Sequence, residues 1–264
     1  MKSTMQTRRK EISDWMKAQV QAARARGIVV GLSGGIDSAV VLGLESEATP
    51  GSVVGVMMPC HSDPDDEIHA RLAADRFAAA AVRVDLAPAY DRFVADLRGA
   101  IDALPREQFP VAPAEEVDPR ARLPLANVKP RLRMTTLYFV ANTLNYLVAG
   151  TGNRSELSIG YFTKYGDGGV DMLPIGRLLK SDVRALAWEL GVPQEIIDKP
   201  PSAGLWAGQT DEGEMGFSYA ELERYLTEGT SAVPPALAHT IQRLEGASGH
   251  KRAMPPLPPA LHDI

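Results

Sequence analysis

Short apolar runs alternate with amphipathic stretches along this chain. Residues 28–32 and 53–57 are apolar on both faces, a pattern typical of strands buried within a parallel sheet. Residues 81–86 and 146–151 are expected to form two further strands. Apolar residues at helical spacing predict helices over 11–25, 36–44, 64–80, 90–104, 127–145 and 180–190. The alternation predicts an α/β fold in which helices flank a parallel sheet.

The loop after the first strand is the first candidate site, because parallel sheets bind ligands beyond the carboxyl ends of their strands. Gly34 and Gly35 let a ligand approach the backbone, and the helix that follows offers free N–H groups to an anion. No lysine follows the glycines, so the Walker pattern is absent. Asp37 would repel a phosphate unless a cation lay between them, which implies Mg²⁺. The alternative is a plain tight turn with Asp37 as a capping residue.

Composition narrows the classes of function. At ~150 residues per domain, 264 residues suggest one or two domains, and we expect a single domain over 1–264. The formal net charge of −5 argues against binding nucleic acid by bulk electrostatics, so local groups must bind any anionic ligand. No apolar run reaches the ~18 residues that span a membrane. We therefore expect no nucleic-acid or membrane partner.

The single cysteine, Cys60, excludes a disulfide framework and a cysteine-rich zinc site. Its reduced state fits the cytoplasm, which is the expected location. The sequence shows no histidine and asparagine partners for a catalytic thiol, so we expect Cys60 to be a small buried side chain.

Three segments stand apart from the alternating pattern. Residues 105–124 carry five prolines and are expected to be a mobile surface excursion. Residues 199–218 are rich in glycine, serine and acidic residues and are expected to form a loop. Lys129, Arg131 and Arg133 lie early in the predicted helix 127–145, either as binding residues or as a solvated helix face.

Residues 31–38, Gly-Leu-Ser-Gly-Gly-Ile-Asp-Ser, resemble the pyrophosphate loop of the N-type ATP pyrophosphatases. That superfamily includes NAD synthetases, GMP synthetases, asparagine synthetases and tRNA-thiolating enzymes. Its members activate a substrate oxygen with AMP and release pyrophosphate. The resemblance implies a Rossmann-like, adenine nucleotide alpha-hydrolase-like fold, but this loop does not select the substrate.

Later segments are similar to the NAD synthetase family. They are NVKPRLRM at 127–134, GTGNRSE at 150–156, GYFTKYGDGGVD at 160–171, KPPSAGLWAGQTDE at 199–212 and HKRAMP at 250–255. Taken alone, the segment 160–171 would be a surface loop with Tyr161 and Phe162 filling the core. Two features depart from the family: Met57 and Met58 end the second strand where many bacterial members place a basic residue, and 105–124 has no clear counterpart.

The resemblance implies a role for each matching residue. The catalytic residues would be Asp37, Glu156, Asp167 and Lys180. The first two would bind Mg²⁺, Lys180 would offset the charge of the leaving pyrophosphate, and Asp167 would lie near the reacting nicotinate group. ATP would bind Gly31, Leu32, Ser33, Gly34, Gly35, Ile36, Asp37, Ser38, Thr151, Lys180 and Ser202. The dinucleotide substrate would bind Arg131, Lys164, Asp171, His250 and Lys251.

The implied activity is that of the ammonia-dependent ligases of this family. They amidate nicotinic acid adenine dinucleotide through an acyl-adenylate, using ATP and ammonia and releasing AMP and pyrophosphate, in the last step of NAD biosynthesis. Glutamine-using relatives carry an extra amidohydrolase domain, for which 264 residues leave no room, so free ammonia or a separate glutaminase chain is implied. The resemblance also implies a homodimer. We expect residues 199–218 to form a lid that keeps water from the adenylate.

Two other classes of function remain open. One is another ATP pyrophosphatase, although a single cysteine and an acidic net charge argue against a tRNA-thiolating enzyme. The other is a nucleotide-binding module without catalysis, which would need the loop at 31–38 but would have no use for Glu156, Lys180 and the segment 161–169 together.

Overall fold

The four predicted strands form one parallel sheet. They are β1 (Gly27–Leu32), β2 (Val53–Met57), β3 (Ala80–Arg83) and β4 (Tyr146–Ala149). Their order across the sheet is β3-β2-β1-β4, and Val30 of β1 pairs with Gly55 on one side and Ala149 on the other. The computed structural model describes residues 4–109 and 119–258, except 203, 205, 207 and 208. The predicted parallel α/β sheet is confirmed.

Helices flank the sheet and continue beyond β4. They are α1 (Met5–Ala22), α2 (Ile36–Ala48), α3 (Pro64–Arg76), α4 (Ala87–Asp102), α5 (Pro119–Leu144), α6 (Arg154–Ile159), α7 (Lys180–Leu190), α8 (Gln194–Asp198), α9 (Asp211–Met215), α10 (Tyr219–Glu228) and α11 (Pro235–Ala247). Short 3₁₀ turns lie at Thr230–Ala232 and Gly249–Lys251. No helix among these described ranges is long and apolar enough to cross a membrane.

Local sequence signals explain several helix ends. The side chain of Asp63 accepts a hydrogen bond from the N–H of Asp65, and Pro64 occupies the first position of α3. Gly191 ends α7 with a φ of 72°, in the left-handed region that glycine adopts at little cost. The predicted bounds of β2 (53–57) and α7 (180–190) both agree with the structure.

Helix α5 differs from its prediction. It begins at Pro119 rather than at residue 127, so the end of the predicted excursion, residues 119–124, is helical and that part of the prediction is wrong. Proline holds φ near the helical value, which suits the first turn, and packing of the later part of α5 along β1 and β4 stabilises the helix around the buried Pro130, whereas Pro124 is exposed. Residues 110–118 lie outside the described residues.

The core forms one layer on each face of the sheet. On one face, α1, α2 and α7 bury Val30, Leu42 and Leu186. On the other face, α5 packs its Leu137 near Val29, and Cys60 belongs to the same cluster with no exposed surface. The prediction that Cys60 is a small buried side chain is confirmed.

Glu45 is an exception within this apolar core. It lies in α2 with no exposed surface, and neither carboxylate oxygen has a hydrogen-bond partner among the described residues. Burial in an apolar environment raises the pKa of Glu45 well above its usual range, which favours the neutral acid in the folded protein. The unfolded chain releases the proton at a much lower pH, and the group therefore makes folding less favourable as pH rises.

Replacing Glu45 with methionine should stabilise the fold. We expect the free energy of unfolding to rise by about 1–3 kcal/mol, because an unpaired buried polar group is removed. The gain should be larger at pH 8 than at pH 5.5, since only the native protein holds a proton on Glu45 above the unfolded pKa. Urea unfolding at the two pH values measures both effects.

Glu45→Gln is the matched control for that comparison. It keeps a buried polar group but removes the titrating proton, so its stability should follow a flatter pH dependence than the parent without the full gain of the methionine variant. An advantage of the methionine variant that is identical at both pH values would contradict the neutral buried carboxyl.

Candidate active site

The glycine loop, residues 33–38, joins β1 to α2 at the carboxyl edge of the sheet. Gly34 has a φ of 75°, and a Cβ placed on it would lie 2.2 Å from the carbonyl oxygen of Asp66, so only glycine fits there. Gly35 precedes α2 without a side-chain cap, which leaves the first N–H groups of the helix available to a ligand. The Ser38 hydroxyl donates to the Gly35 carbonyl at 2.9 Å. The loop thus has the geometry of an anion site rather than of a side-chain-capped turn.

A second strand end supplies the next residues. After β4, Asn153 caps α6: its side chain accepts from the N–H of Glu156 at 3.1 Å, and the Glu156 carboxylate accepts from the N–H of Asn153 at 3.1 Å. The Asn153 amide also donates to the Asp37 carboxylate at 3.0 Å. One asparagine therefore orients both carboxylates. The sequence analysis missed its role, although the capping-box pattern Asn-x-x-Glu was visible.

Lys180 completes a carboxylate–lysine cluster with Asp37 and Glu156. Its ammonium group hydrogen-bonds the Asp37 carboxylate and lies 3.4 Å from Glu156 Oε1. Its N–H donates to the Ser155 hydroxyl at 3.2 Å, which fixes the start of α7 beside α6. The structure therefore brings these three predicted catalytic residues together.

Burial governs the charges of this cluster. Desolvation of Glu156, followed by the nearby charge of Asp37, raises its pKa to about 8. Desolvation opposes the charge of Lys180, which is 3% exposed, but Asp37 and Glu156 together outweigh it and raise the lysine pKa above its usual value. Burial therefore favours the neutral form of Glu156, while the two carboxylates favour the charged form of Lys180.

Two residues outside the prediction extend the cluster. The Tyr219 hydroxyl lies 2.8 Å from Asp211 Oδ2 and 3.3 Å from Glu156 Oε1. Asp211 is 4% exposed, and burial raises its pKa. The Tyr161 hydroxyl lies on its other side, 3.3 Å from Asp211 Oδ1. Tyr161 and Asp211 lie in segments that match the family, and Tyr219 follows one of them, but nothing in the spacing of these three residues indicated that they contact one another.

The loop 160–171 carries the predicted substrate side. Asp167 is held through Oδ1 by the N–H of Thr163 at 2.9 Å, and burial raises the pKa of its carboxyl. Lys251 donates to the carbonyls of Gly160 and Phe162, each at 2.7 Å, and its charge opposes the rise in the Asp167 pKa. The turn Gly249–Lys251 thus holds the loop 160–171 in place through the two hydrogen bonds of Lys251.

Other predicted substrate residues join the same region. Lys164 Nζ donates to the His250 carbonyl at 2.6 Å, and Arg131 Nη2 donates to the Lys164 carbonyl at 3.3 Å. Asp171 lies apart from them: it accepts from the Tyr138 hydroxyl at 2.9 Å and from the N–H of Val148 at 2.8 Å. The structure thus gives Asp171 contacts that fasten the loop to β4.

The predicted lid, 199–218, contains more order than a loop. Helix α9 lies within it, and the N–H of Asp211 donates to the Pro201 carbonyl at 3.1 Å, which closes the base of the segment. Ser202 accepts from the N–H of Gly204 at 3.1 Å. Thr151 follows β4 and is partly buried. Residues 203, 205, 207 and 208 lie outside the described residues, so the lid stays a prediction.

The basic stretch of α5 is not a solvated face. Only Arg131 is exposed, whereas Lys129 is 7% exposed and Arg133 is partly buried. Arg133 donates to the Met58 carbonyl and to the Ser62 hydroxyl, both at 3.3 Å. The loop after β2, where the sequence carries no lysine or arginine of its own, therefore receives an arginine from α5.

The carboxylate–lysine cluster also fits a divalent cation. Two carboxylates, Asp37 and Glu156, converge on one positive charge, and Mg²⁺ is commonly held by one or two carboxylates together with phosphate oxygens and water. The described part of the chain holds no group of three or more histidine, cysteine or acidic side chains able to hold a metal. Phosphate oxygens and water would complete the ligands of a cation held by these two carboxylates.

An open glycine loop, two carboxylates and a lysine at the carboxyl edge of a parallel sheet define a nucleotide-binding enzyme of adenine nucleotide alpha-hydrolase-like fold. The NAD synthase family model matches residues 9–255, and the chain belongs to that family. An NH(3)-dependent NAD(+) synthetase of Carboxydothermus hydrogenoformans is 46% identical over 258 residues, 98% of this chain and 99% of the relative.

Solved structures agree on the fold. The NMN synthetase of Francisella tularensis has a TM-score of 0.86 and 33% identity, and the match covers 98% of this chain and 100% of that one. The NH3-dependent NAD synthetase of Campylobacter jejuni has a TM-score of 0.75 and 26% identity, with 97% and 99% covered. The chain is therefore similar over nearly its full length to synthetases that make two different products.

Replacing Asn153 with alanine tests its position between the carboxylates. We expect the free energy of unfolding to fall by about 1 kcal/mol, because α6 loses its N-cap. We also expect weaker binding of ATP with Mg²⁺, because Asp37 loses the amide that orients it. Thermal unfolding and isothermal titration calorimetry measure the two effects.

Thr4→Ala is a matched control, since Thr4 is the exposed N-cap of α1. It should lower stability without changing the affinity for ATP. Equal loss of ATP affinity in both variants would show that Asn153 acts only through the stability of the fold.

Proposed function

We propose that this protein is a ligase that makes NAD from nicotinic acid adenine dinucleotide, ATP and ammonia, with release of AMP and pyrophosphate. The observation that carries the proposal is the carboxylate–lysine cluster beside the glycine loop. Its support from comparison is a relative named NH(3)-dependent NAD(+) synthetase that matches almost end to end. A cytoplasmic location, where ATP is present and a lone cysteine stays reduced, belongs to the same proposal.

The first step solves a problem of leaving groups. A carboxylate is a poor acyl donor, and conversion to an acyl-adenylate provides AMP as the leaving group. The N–H groups at the start of α2 bind phosphate oxygens, and Lys180 stabilises the charge that develops on the departing pyrophosphate. Mg²⁺, held by Asp37 and Glu156 when bound, supplies further positive charge to the phosphates.

In this proposal the dinucleotide substrate binds on the side of the site that carries Asp167, away from the phosphate site at the start of α2. Arg131, Lys164 and the turn Gly249–Lys251 form a basic region beside Asp167. Their positive charges suit the phosphates of a dinucleotide, and the Gly160 and Phe162 carbonyls fix Lys251 in place. Asp171 contributes by holding the loop to β4.

Asp167 is proposed to accept a proton from ammonium, so that ammonia attacks the acyl carbon. Burial raises the pKa of its carboxyl, which makes it a better proton acceptor than an exposed aspartate. Closure of residues 199–218 over ATP, if Ser202 contacts the phosphates as proposed, would keep water from the adenylate.

Replacing Asp167 with asparagine should separate the two steps. The asparagine oxygen still accepts from Thr163, so we expect adenylate to form, but ammonolysis should slow by about 10²–10⁴-fold, the usual contribution of a general base. Rapid-quench single-turnover experiments with labelled ATP measure both rates. Asp96→Asn, on the exposed face of α4, is the control, and an unchanged ammonia step in the Asp167 variant would reject the role.

The NMN synthetase relationship supports a second candidate. Its high structural similarity favours amidation of the corresponding mononucleotide, nicotinic acid mononucleotide, as an alternative to the dinucleotide. The two substrates share the nicotinate carboxylate and differ in the AMP half. The carboxylate–lysine cluster serves both reactions equally, so a preference between the two substrates would come from contacts with the AMP half.

One experiment tests both candidates. The protein is incubated with ATP, Mg²⁺, ammonium and either the dinucleotide or the mononucleotide, and AMP, pyrophosphate and amide product are measured. We expect AMP, pyrophosphate and NAD in equal amounts, with a higher kcat/KM for the dinucleotide. A preference for the mononucleotide would favour the second candidate, AMP without either amide would indicate another adenylating enzyme, and no turnover would indicate a binding module.

A homodimer also belongs to this proposal. Helix α4 presents an exposed apolar stripe one turn apart at Phe93, Leu97 and Ile101, and Leu104 just after the helix is also exposed. The edge strand β3, which precedes α4 in the chain, is exposed along its whole length. Exposed apolar faces of this kind are typical of protein–protein contacts, and sedimentation equilibrium measures the oligomeric state.

A further inference from the structure

The loop after β2 holds a basic pair that the mechanism above does not use. Lys129 and Arg133 lie one turn apart on α5. The Nε of Arg133 donates to the Met58 carbonyl and one Nη donates to the Ser62 hydroxyl. These two hydrogen bonds fix the plane of the guanidinium and leave Nη1 without a partner among the described residues. The Arg133 guanidinium is thus held in a fixed position, and its Nη1 can still donate to a ligand.

The charge of Arg133 is not neutralised within the described part of the chain. No carboxylate there lies within 4.0 Å of its guanidinium, unlike the ammonium of Lys180. Burial lowers the pKa of Arg133, and the nearby Arg133 charge together with burial lowers the pKa of Lys129. A buried guanidinium without a carboxylate within ion-pair distance is unfavourable, and a bound anion would stabilise its charge.

The position of Arg133 relates it to both halves of the site. Asp66, whose carbonyl packs against Gly34 of the glycine loop, and Asp167 of the substrate loop both act on Arg133 electrostatically from beyond ion-pair distance. Met58, which accepts its hydrogen bond, packs beside Gly31. The guanidinium therefore lies where a molecule extending from the glycine loop towards Asp167 would pass.

Lys180 and Arg133 lie on opposite sides of the glycine loop. In the strand order β2-β1-β4, Arg133 contacts the loop after β2, whereas Lys180 contacts Glu156, which follows β4. Lys180 already faces two carboxylates, so its side of the loop suits a metal-bound pyrophosphate. Arg133 has no carboxylate within ion-pair distance among the described residues, so its side suits a phosphate group that arrives without a metal.

We propose that Arg133, supported by Lys129, forms the subsite for the phosphate of the AMP half, first as the α-phosphate of ATP and then in the acyl-adenylate. This rests on the proposed function. A guanidinium binds two phosphate oxygens in parallel, which also fixes the orientation of the phosphorus. A carboxylate oxygen of the substrate forms a bond to that phosphorus, and the bond to pyrophosphate breaks with its electron pair leaving on pyrophosphate. Arg133 keeps its proton and its charge throughout.

Three ligands separate this subsite from the rest of the pocket. AMP carries the phosphate, adenosine lacks it, and pyrophosphate occupies the side of Lys180. For Arg133→Gln we expect AMP to bind about 10- to 100-fold more weakly, the usual effect of losing a charge-assisted hydrogen bond. Adenosine and pyrophosphate should bind as they do to the parent protein. Isothermal titration calorimetry without metal measures AMP and adenosine, and product inhibition measures pyrophosphate.

Arg92→Gln is the control for the loss of one positive charge, since Arg92 is exposed on α4 and pairs with Asp96. It should leave all three affinities unchanged. An Arg133→Gln variant that binds AMP within twofold of the parent overturns the proposal. Equal weakening of AMP and adenosine also overturns it, because the residue would then shape the pocket rather than bind the phosphate.

A second variant covers the case in which Arg133→Gln does not fold. Arg133→Lys keeps the charge but loses the planar fork, so weaker AMP with unchanged adenosine supports the proposal, and equal loss or no loss of both overturns it. Failure of the proposed function is distinguishable: a parent protein that forms neither NAD nor the mononucleotide amide refutes the synthetase, while the AMP and adenosine affinities still report on Arg133.

Discussion

The site depends on one ammonium group that is buried between two carboxylates. Lys180 begins α7, and Asp37 and Glu156 lie in the first turns of α2 and α6, so three helix starts meet at one point. Each charge there would be unfavourable alone, because burial penalises all of them. Together they hold three separate segments of the chain against the carboxyl edge of the sheet, and the nucleotide loop takes its place beside them.

The structure separates two kinds of positive charge around the glycine loop. On the side of β4, the charge of Lys180 is balanced by acids, which makes the position suitable for a further cation. On the side of β2, Arg133 is bound to a carbonyl and a hydroxyl and has no acid within ion-pair distance among the described residues. A molecule bound across the loop would meet unlike electrostatic environments at its two ends.

Periodicity predicted the parallel sheet and the glycine loop, and the family resemblance named Asp37, Glu156 and Lys180, which the structure brings together. Buried strands and glycine turns are local features, which a sequence displays directly. The start of α5 was not predictable, because the prolines and charges of residues 119–124 favour a loop locally, whereas in the structure this segment extends the helix that packs on the sheet further along. The contacts of Tyr219 and Asp211 with the cluster were missed for a similar reason: Glu156 and Lys180 lie far from both in the sequence, and no local spacing reports such contacts.

The fastening of loop 160–171 by Lys251 has a consequence for the order of assembly. The sheet and the glycine loop use residues up to 149, whereas the carbonyls of Gly160 and Phe162 receive their partner only from residue 251. A chain emerging from the ribosome can therefore form its nucleotide loop early, yet the pocket around Asp167 stays unfastened until about a hundred further residues have been made. Nucleotide binding and substrate binding would mature at different times during synthesis.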